Sequence, residues 1–228
     1  MKPSSQKPLY GREMGNKLWL EDNFGKDYME RNPVTEEQVS ARVPFFSSIF
    51  NILRNESSHK DYPASVLEVG AGQGTNLVAL ARIIKDNELK TTLHATEPFK
   101  PAREAIKKNA PTVDVEDYNG MLPVLPFPSG SFELVFTSGV LIHVPTAELV
   151  PSIRELYRVS SRYILTMEYF SPVERNVPYH DSNDTLWLRD YGSLFLDNHK
   201  LKVLGYGFLW KRLTRVDNIT WWLFEKVN

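Results

Sequence analysis

Apolar positions recur along this chain with two different periods, one typical of helices and the other of strands. Apolar residues three and four positions apart run through residues 18–29 and again through residues 39–53, which predicts two helices at the start of the chain. Arg31-Asn32-Pro33 ends the first of them. Thr35 followed by Gln38 forms a capping-box pair, which is typical of the beginning of the second.

Beyond Pro63, short apolar runs alternate with helical ones. The pattern predicts strands over residues 65–69, 91–96, 111–115, 132–137 and 163–167. It predicts helices over residues 75–85, 101–109, 147–159 and 188–199. Such alternation is typical of right-handed βαβ units, and therefore of an α/β fold with a parallel sheet covered on both faces. Two final β-rich runs, 203–210 and 219–227, lie close together in sequence, which predicts an antiparallel pair.

Composition narrows the classes of partner. The chain has 228 residues, with 27 Lys+Arg against 28 Asp+Glu, so it lacks the basic field that non-specific binding to nucleic acids or anionic membranes needs. We therefore expect no membrane partner and disfavour nucleic acid. The absence of cysteine excludes disulfides, thiolate metal sites and a cysteine nucleophile. We expect no metal site. The first eight residues lack the apolar core of a signal peptide, so we also expect a cytoplasmic protein.

The most informative motif joins a strand to a helix through three glycines. It reads Val66-Leu67-Glu68-Val69-Gly70-Ala71-Gly72-Gln73-Gly74-Thr75-Asn76. Glycines at this turn let the backbone approach a ligand, and the amides at the helix start face that ligand. The spacing Gly-x-Gly-x-Gly differs from the Gly-x-Gly-x-x-Gly of NAD- and FAD-binding proteins, which favours a nucleoside without a pyrophosphate. Glu68 is suited to meet a cationic amino acid portion of such a ligand.

Two further stretches fall at the same edge of the predicted sheet. Glu97 ends the second strand, where a carboxylate accepts hydrogen bonds from both hydroxyls of a ribose. The fourth strand leaves the sheet at Thr137-Ser138-Gly139, beside the glycine loop. Ligands of open α/β sheets bind at this carboxyl edge, so these residues are candidates for one nucleoside site.

Taken together, these motifs resemble those of the class I S-adenosylmethionine-dependent methyltransferases over about residues 65–167. The whole chain is similar, more narrowly, to the pseudaminic acid biosynthesis-associated methylases. That second resemblance rests on four stretches: Phe24-Gly25 with Tyr28 and Arg31-Asn32; Phe136-Thr137-Ser138-Gly139-Val140-Leu141-Ile142-His143; Arg162-Tyr163-Ile164-Leu165 with Glu168-Tyr169; and Ile219-Thr220-Trp221-Trp222-Leu223-Phe224-Glu225-Lys226.

The resemblance implies a Rossmann-like fold: a mostly parallel seven-stranded sheet with an antiparallel last strand, and helices on both faces. We expect the chain to divide into an N-terminal helical extension or lid, residues 1–60, and a methyltransferase domain, residues 61–228. Within that domain, residues of about 169–189 form an insertion that is long for a structureless loop, which predicts a lid. The resemblance implies S-adenosylmethionine as cofactor, bound by these residues: Glu68, Gly70, Gly72, Gly74, Asn76, Glu97, Asn119, Thr137 and Ser138. At the adenine position this sequence has Tyr118-Asn119-Gly120, where the superfamily usually has Gly-Asp.

Methyl transfer from a sulfonium is an in-line displacement at an activated carbon, so positioning and exclusion of water supply most of the rate. If the acceptor is a hydroxyl or a protonated amine, a base must remove its proton, and the candidates are His143, Glu168 and Tyr169. The resemblance implies a small-molecule acceptor and, for the narrower family, a nonulosonic sugar in free, activated or linked form. Aromatic and cationic residues suited to it are Trp19, Phe24, Tyr28, Arg31, Arg175, Tyr179, His180 and Arg189.

Three alternatives are open at this point. An oxidoreductase would need a pyrophosphate-type glycine spacing, which the chain lacks. A methyltransferase for a small-molecule carboxylate, or for a protein or nucleic-acid amine, would keep the same cofactor site. A protein that binds S-adenosylmethionine without turnover would also carry these motifs. The sequence does not decide the oligomeric state, since Trp221-Trp222 suits a sheet core as well as a dimer surface.

Overall fold

The computed structural model describes residues 24–117, 121–178 and 185–227. In that part of the chain the helices are α1 Phe24–Arg31, α2 Glu36–Glu56, α3 Thr75–Asp86, α4 Lys100–Asn109, α5 Thr146–Val159, α6 Tyr191–Asn198 and α7 Lys211–Thr214. The strands are β1 Ser65–Val69, β2 Thr92–Thr96, β3 Asp114–Val115, β4 Phe132–Ser138, β5 Ser160–Glu168, β6 Arg175–Asn176, β7 Trp187–Leu188, β8 Leu201–Leu209 and β9 Ile219–Lys226. A single 3₁₀ turn, Leu141–His143, follows β4.

Seven of these strands form one sheet in the order β3-β2-β1-β4-β5-β9-β8. The first five are parallel, and β9 is antiparallel to both of its neighbours, β5 and β8. The predicted fold class, a mostly parallel seven-stranded sheet with an antiparallel last strand and helices on both faces, is therefore confirmed. Parallel pairing brings the carboxyl ends of β1, β2, β4 and β5 to one edge, where the predicted motifs lie.

Each face of the sheet carries its own apolar cluster, because successive side chains of a strand point to opposite faces. Val66 of β1 and Phe136 of β4 pack on one side with α2 and α3. Leu67 and Val135 pack on the other side with α5 and α6. Neither half of the core is accessible to water, and burial of these strands on both sides explains their continuous apolar sequence.

The second helix, α2, contributes buried side chains to the apolar cluster that contains Val66 and Phe136. Its buried side chains are Val39, Phe45, Phe46, Ile49, Phe50 and Leu53. The ring of Phe45 meets Trp221 of β9 edge-on with centroids 5.7 Å apart, and Phe46 meets Phe136 at 5.6 Å. As predicted, Thr35 caps the helix, its hydroxyl accepting from the Gln38 amide at 3.2 Å. The division into an extension and a domain stays a prediction, but α2 shares one core with the sheet.

Three of the differences from the predicted elements have local reasons. The third strand pairs only at Asp114–Val115, because Pro111 begins a turn in which the Val113 amide donates to Ala110. Helix α6 begins at Tyr191 rather than at residue 188, since Leu188 belongs to β7 and Asp190 caps the helix. The polar link between the last two strands contains α7.

The segment predicted as a lid-like insertion begins and ends in paired backbone. Strands β6 and β7 form a small antiparallel ladder, Arg175 opposite Leu188 and Asn176 opposite Trp187. A further isolated bridge joins Phe170 to Arg189. These pairings close the insertion at its base; its role as a lid stays a prediction.

Trp221 and Trp222, on which the sequence left core and dimer surface open, both lie in β9 inside the sheet. They pack on opposite faces, Trp221 against the α2 side and the buried Trp222 against the α6 side. Within the described ranges, no helix combines the length and the apolar character that crossing a membrane requires.

Candidate active site

The glycine loop between β1 and α3 has a backbone that only glycine adopts easily. Gly70, Gly72 and Gly74 have φ of +73°, +54° and +86°. At Gly70 space is limiting as well, because a Cβ there would lie 2.7 Å from Cγ2 of Val140. The amides of Gly70 and Ala71 both donate to the Thr96 carbonyl, which fixes the loop against the end of β2.

Glu68 lies at the end of β1 beneath this loop and is 1% exposed. Its Oε1 accepts from Nδ2 of Asn76 at 2.7 Å. Its Oε2 is buried and has no hydrogen-bond partner among the described residues. Burial raises the pKa of the Glu68 carboxyl to about 8, although the Asn76 bond and the charge of Arg42 oppose the rise. A buried acceptor without a hydrogen-bond partner lowers the stability of the fold. A ligand that brings a donor would satisfy this oxygen.

Glu97 stands at the end of β2, on the wall of a cavity that opens at the carboxyl edge. Its two oxygens accept from the amides of Gly72 at 2.8 Å and Phe99 at 3.0 Å. Burial raises its pKa to about 7 against these hydrogen bonds and the nearby Arg103. The buried guanidinium of Arg103 donates to the carbonyls of Glu97 and Pro98, both at 2.8 Å, and so fixes the turn that carries the carboxylate.

The cavity has a mostly apolar wall with a few polar side chains. Apolar atoms come from Met29 of α1, from Phe99, and from Met121, Leu122 and Leu125 in the loop before β4. Polar groups come from Glu97, Ser138, His143, Glu148 and Tyr28. An apolar slot with a small number of directed polar groups is the usual form of a nucleoside or small-molecule site.

Of the residues predicted from sequence, Tyr28, Gly70, Gly72, Glu97, Ser138 and His143 line this cavity. Glu68 and Asn76 lie behind the glycine loop, joined to each other. Thr137 is turned away from the cavity wall, because its buried hydroxyl donates to Glu168 at 2.8 Å. Asn119, Trp19, Tyr179 and His180 fall outside the described residues, as does the side chain of Phe24.

Helix α1 is held over the cavity by the glycine loop itself. Nε2 of Gln73 donates to the carbonyls of Met29 and Asn32, both at 2.8 Å, and Nδ2 of Asn109 donates to the Gln73 carbonyl at 3.1 Å. The loop therefore contacts a potential ligand on one side and the C-terminal end of α1 on the other.

His143 ends the 3₁₀ turn after β4. Its Nδ1 lies 2.7 Å from the carbonyl oxygen of Thr185. Because a carbonyl can only accept, Nδ1 carries the hydrogen of the neutral ring. Burial lowers the His143 pKa to about 4, so the imidazole is uncharged at neutral pH and is a weak base.

Glu168 and Tyr169, the other two predicted catalytic residues, do not line the cavity. Glu168 is fully buried, and its carboxylate accepts from Thr137 and from the amides of Val140 at 3.3 Å and Ile142 at 3.2 Å. Burial raises its pKa to about 7. The Tyr169 hydroxyl donates to Asp217 at 3.2 Å. Glu168 thus supports, from inside the sheet, the loop that carries His143.

The arginines predicted to bind an acceptor carboxylate also lie outside the cavity wall. Arg189 is 2% exposed and donates to the Val144 carbonyl, the Thr146 hydroxyl and Glu174 at 2.8–2.9 Å. These bonds tie the insertion to the start of α5, so the guanidinium is used within the fold. Arg31 and Arg175 are exposed, on α1 and β6.

The residues of the site that were not predicted include Arg42, Phe99, Met121 and Glu148. Phe99 could have been found, since it follows Glu97 by two residues in a loop already expected to meet the nucleoside. No local pattern marks Arg42, because its contact with Asn76 joins residues 34 apart in sequence.

Comparison with known proteins finds a methyltransferase-like segment in this chain. Residues 66–162 match the family model described as methyltransferase domain. That segment is therefore similar to methyltransferase domains. It contains the glycine loop, Glu97 and His143, whereas α1, α2 and the last two strands lie outside the matched residues.

A curated relative, an uncharacterised methyltransferase of Schizosaccharomyces pombe, is 34% identical over 103 residues, which cover 42% of this chain. The match spans about a third of that relative, 35% of its length.

Two solved structures extend the likeness to nearly the whole chain. The 1,6-didemethyltoxoflavin-N1-methyltransferase of Burkholderia thailandensis, with its substrate and S-adenosylhomocysteine bound, superposes with a TM-score of 0.69 at 15% identity, over 98% of this chain and 93% of that one. The magnesium protoporphyrin IX methyltransferase of Synechocystis PCC 6803, with S-adenosylmethionine bound, gives 0.64 at 13% identity, over 98% and 100%. At such identities the likeness establishes the fold, a Rossmann-like methyltransferase fold.

Proposed function

We propose that this chain transfers the methyl group of S-adenosylmethionine to a small-molecule acceptor. The observation that carries the proposal is Oε2 of Glu68, a buried carboxylate oxygen without a described partner, below the glycine loop of a methyltransferase domain. The ammonium of an amino acid supplies the charge and the hydrogen-bond donors that this oxygen lacks.

The other parts of the cofactor fit the remaining groups. Each oxygen of Glu97 accepts one backbone amide and keeps a lone pair for a ribose hydroxyl. The apolar wall formed by Phe99, Leu122 and Leu125 suits a purine ring. Gly70, Gly72 and Gly74 leave room for the backbone to lie close to the ligand. Asn119 stays our prediction for the adenine amine, on the resemblance alone.

When bound, the cofactor supplies a methyl group already activated by a positive sulfur, so the protein needs chiefly to orient the acceptor and exclude water. Helix α1, held by Gln73, covers the cavity from one side. We propose His143 as the side chain that contacts the acceptor nucleophile. With a pKa of about 4 it acts as a neutral hydrogen-bonding group; Glu168 supports its loop.

The resemblance to pseudaminic acid-associated methylases makes a nonulosonic sugar our first candidate acceptor. One observation favours a second candidate, an uncharged or amine-bearing molecule. The cavity wall contains two carboxyl groups, Glu97 and Glu148, and among the described residues no Lys or Arg. A carboxylate on the acceptor would find no opposite charge in that wall, whereas a neutral or cationic group would not be repelled.

The cofactor assignment is tested by titration calorimetry with S-adenosylmethionine and, separately, NAD. We expect saturable binding of S-adenosylmethionine alone, weakened in Glu97→Ala. Binding of NAD, or of neither ligand, would contradict the proposal.

The acceptor is tested by mass spectrometry, after incubation of the enzyme and cofactor with nonulosonic acids in free, CMP-activated and polymer-linked form, and with a panel of amines and neutral alcohols. A gain of one methyl mass identifies the acceptor class. Cofactor binding without any methyl gain across the panel would instead support a non-catalytic binding protein.

A further inference from the structure

A chain of hydrogen bonds connects α2, which lies outside the matched methyltransferase domain, to the acid below the glycine loop. Nε of Arg42 donates to Oδ1 of Asn76 at 2.8 Å. Nδ2 of Asn76 in turn donates to Oε1 of Glu68 at 2.7 Å. Arg42 is itself oriented by a second bond, from its Nη1 to the Gln38 carbonyl one turn earlier on α2, at 2.8 Å.

The direction of this chain is dictated by the chemistry of its members. A guanidinium has only donors, so the side of the Asn76 amide that faces Arg42 must be its oxygen. The amide nitrogen then necessarily faces Glu68. If the amide turned over, its oxygen would face the carboxylate of Glu68 and its nitrogen would face the guanidinium, and both contacts would be lost.

The orientation of Asn76 decides which oxygen of Glu68 is used inside the protein. Oε1 is taken by Asn76, and Oε2 is the oxygen that stays without a partner among the described residues. The positive charge of Arg42 also stabilises the ionised form of this carboxyl, against its burial. Both effects prepare Oε2 to accept a hydrogen bond from a cationic donor.

We propose that Arg42 is a positioning residue for the amino acid end of the cofactor, acting through Asn76 on Glu68. Helix α2 is then a part of the cofactor site, although it precedes the methyltransferase domain in sequence. This inference rests on the proposed function, because it presumes that the ligand of Glu68 is the amino acid portion of S-adenosylmethionine or of its product.

The test compares two ligands that differ in that portion alone. S-adenosylhomocysteine contains the amino acid, whereas 5′-methylthioadenosine has the same adenosine and sulfur without it. Binding of both is measured by calorimetry to the wild type, Arg42→Met and Asn76→Ala. We expect each variant to bind S-adenosylhomocysteine about tenfold or more weakly, the effect of losing a hydrogen bond to a charged group. Binding of methylthioadenosine should stay within about twofold.

Arg82→Met is the matched control, because Arg82 also joins α3 to α2, through Glu36 at 2.7 Å, on the exposed side of the two helices. It should change neither affinity. Arg42→Lys, which keeps a cationic donor, should recover part of the lost affinity for S-adenosylhomocysteine. The double variant of Arg42 and Asn76 should lose no more affinity than the single variant with the larger loss, because both residues act in one chain of hydrogen bonds.

The outcomes separate the inference from the proposed function. Equal weakening of both ligands in Arg42→Met would mean that the residue only stabilises the fold, and unchanged binding would mean that it has no part in the site; either overturns the inference alone. A wild type that binds neither ligand overturns the proposed function and the inference with it. Circular dichroism of every variant shows whether α2 is intact.

Discussion

Replacing Glu68 by glutamine should separate the contribution of this side chain to ligand binding from its effect on the free energy of unfolding. The carboxyl is buried and its pKa is raised to about 8 because burial disfavours the charged form. Glutamine has nearly the same shape, can accept the same bond from Asn76, and cannot ionise. We expect the variant to be more stable than the wild type at neutral and alkaline pH, and to bind the cofactor more weakly.

The size of the effect follows from proton linkage. In the unfolded chain this carboxyl has its ordinary pKa of 4.5, whereas in the folded protein it keeps its proton up to about pH 8. Between those values the folded state binds one more proton than the unfolded state, so stability falls as the pH rises, by about 1.4 kcal/mol per pH unit. The loss is about 3 kcal/mol at pH 7 and about 5 kcal/mol above pH 8, and Glu68→Gln should recover most of it.

Equilibrium urea unfolding of the ligand-free protein at pH 5, 7 and 8.5 measures this difference. The matched control is Glu155→Gln. At Glu155, burial is outweighed by bonds from Arg158 and the Leu125 amide, which lower the pKa, so the folded carboxyl is ionised and the unfolded one is mostly ionised over this range. That variant should lose the same free energy at each pH. A gain in Glu68→Gln that did not shrink at pH 5, or a destabilisation at pH 8.5, would refute the reasoning.

Three further predictions concern the loop, the imidazole and the insertion. Gly70→Ala should lower the free energy of unfolding by about 1–3 kcal/mol, because Gly70 has a φ of +73° and a Cβ there would lie 2.7 Å from Val140. Adding Val140→Ala should recover the part of this loss that comes from the close contact, and urea unfolding of both variants measures it. His143→Gln should leave the shape of the pH–rate profile between pH 5.5 and 8 unchanged, because burial lowers the His143 pKa to about 4; an inflection in the wild type that the variant lacks would contradict this. Arg189→Met should destabilise the protein by about 1–3 kcal/mol, since the Val144 carbonyl and the Thr146 hydroxyl lose the buried guanidinium that donates to them. It should leave the KM for the acceptor within about twofold; a large KM increase at unchanged stability would support Arg189 as a binding residue.

The sequence predicts elements well where their ends are marked locally. Strand β1 has the predicted bounds, because Pro63 precedes it and Gly70 ends it. Helix α3 extends one residue beyond the prediction, to Asp86. The start of α6 was missed, because the apolar pattern runs on through Leu188, whose pairing with Arg175 is a tertiary contact.

The same distinction holds for the site. Gly70, Gly72 and Glu97 are recognisable because one local motif carries both the turn and the chemistry. Arg189 has the right chemistry for an acceptor, but its donors find partners at Val144 and Thr146, more than 40 residues away, which no local pattern indicates. Contacts made by packing between distant segments are therefore the ones that sequence reasoning does not find.

The packing of α2 against the end of the chain has a consequence for synthesis. Phe45 is covered by Trp221 of β9, the Ser58 amide donates to Glu225 at 2.8 Å, and Lys202 reaches the carbonyl of Glu56 at 3.1 Å. During translation, α2 emerges from the ribosome more than 160 residues before its partners on β9. Until then part of its apolar face has no permanent cover, and contacts so distant in sequence form slowly. Completion of the core around α2 thus depends on β9, and truncation before β9 would leave Phe45 without the Trp221 ring that covers it.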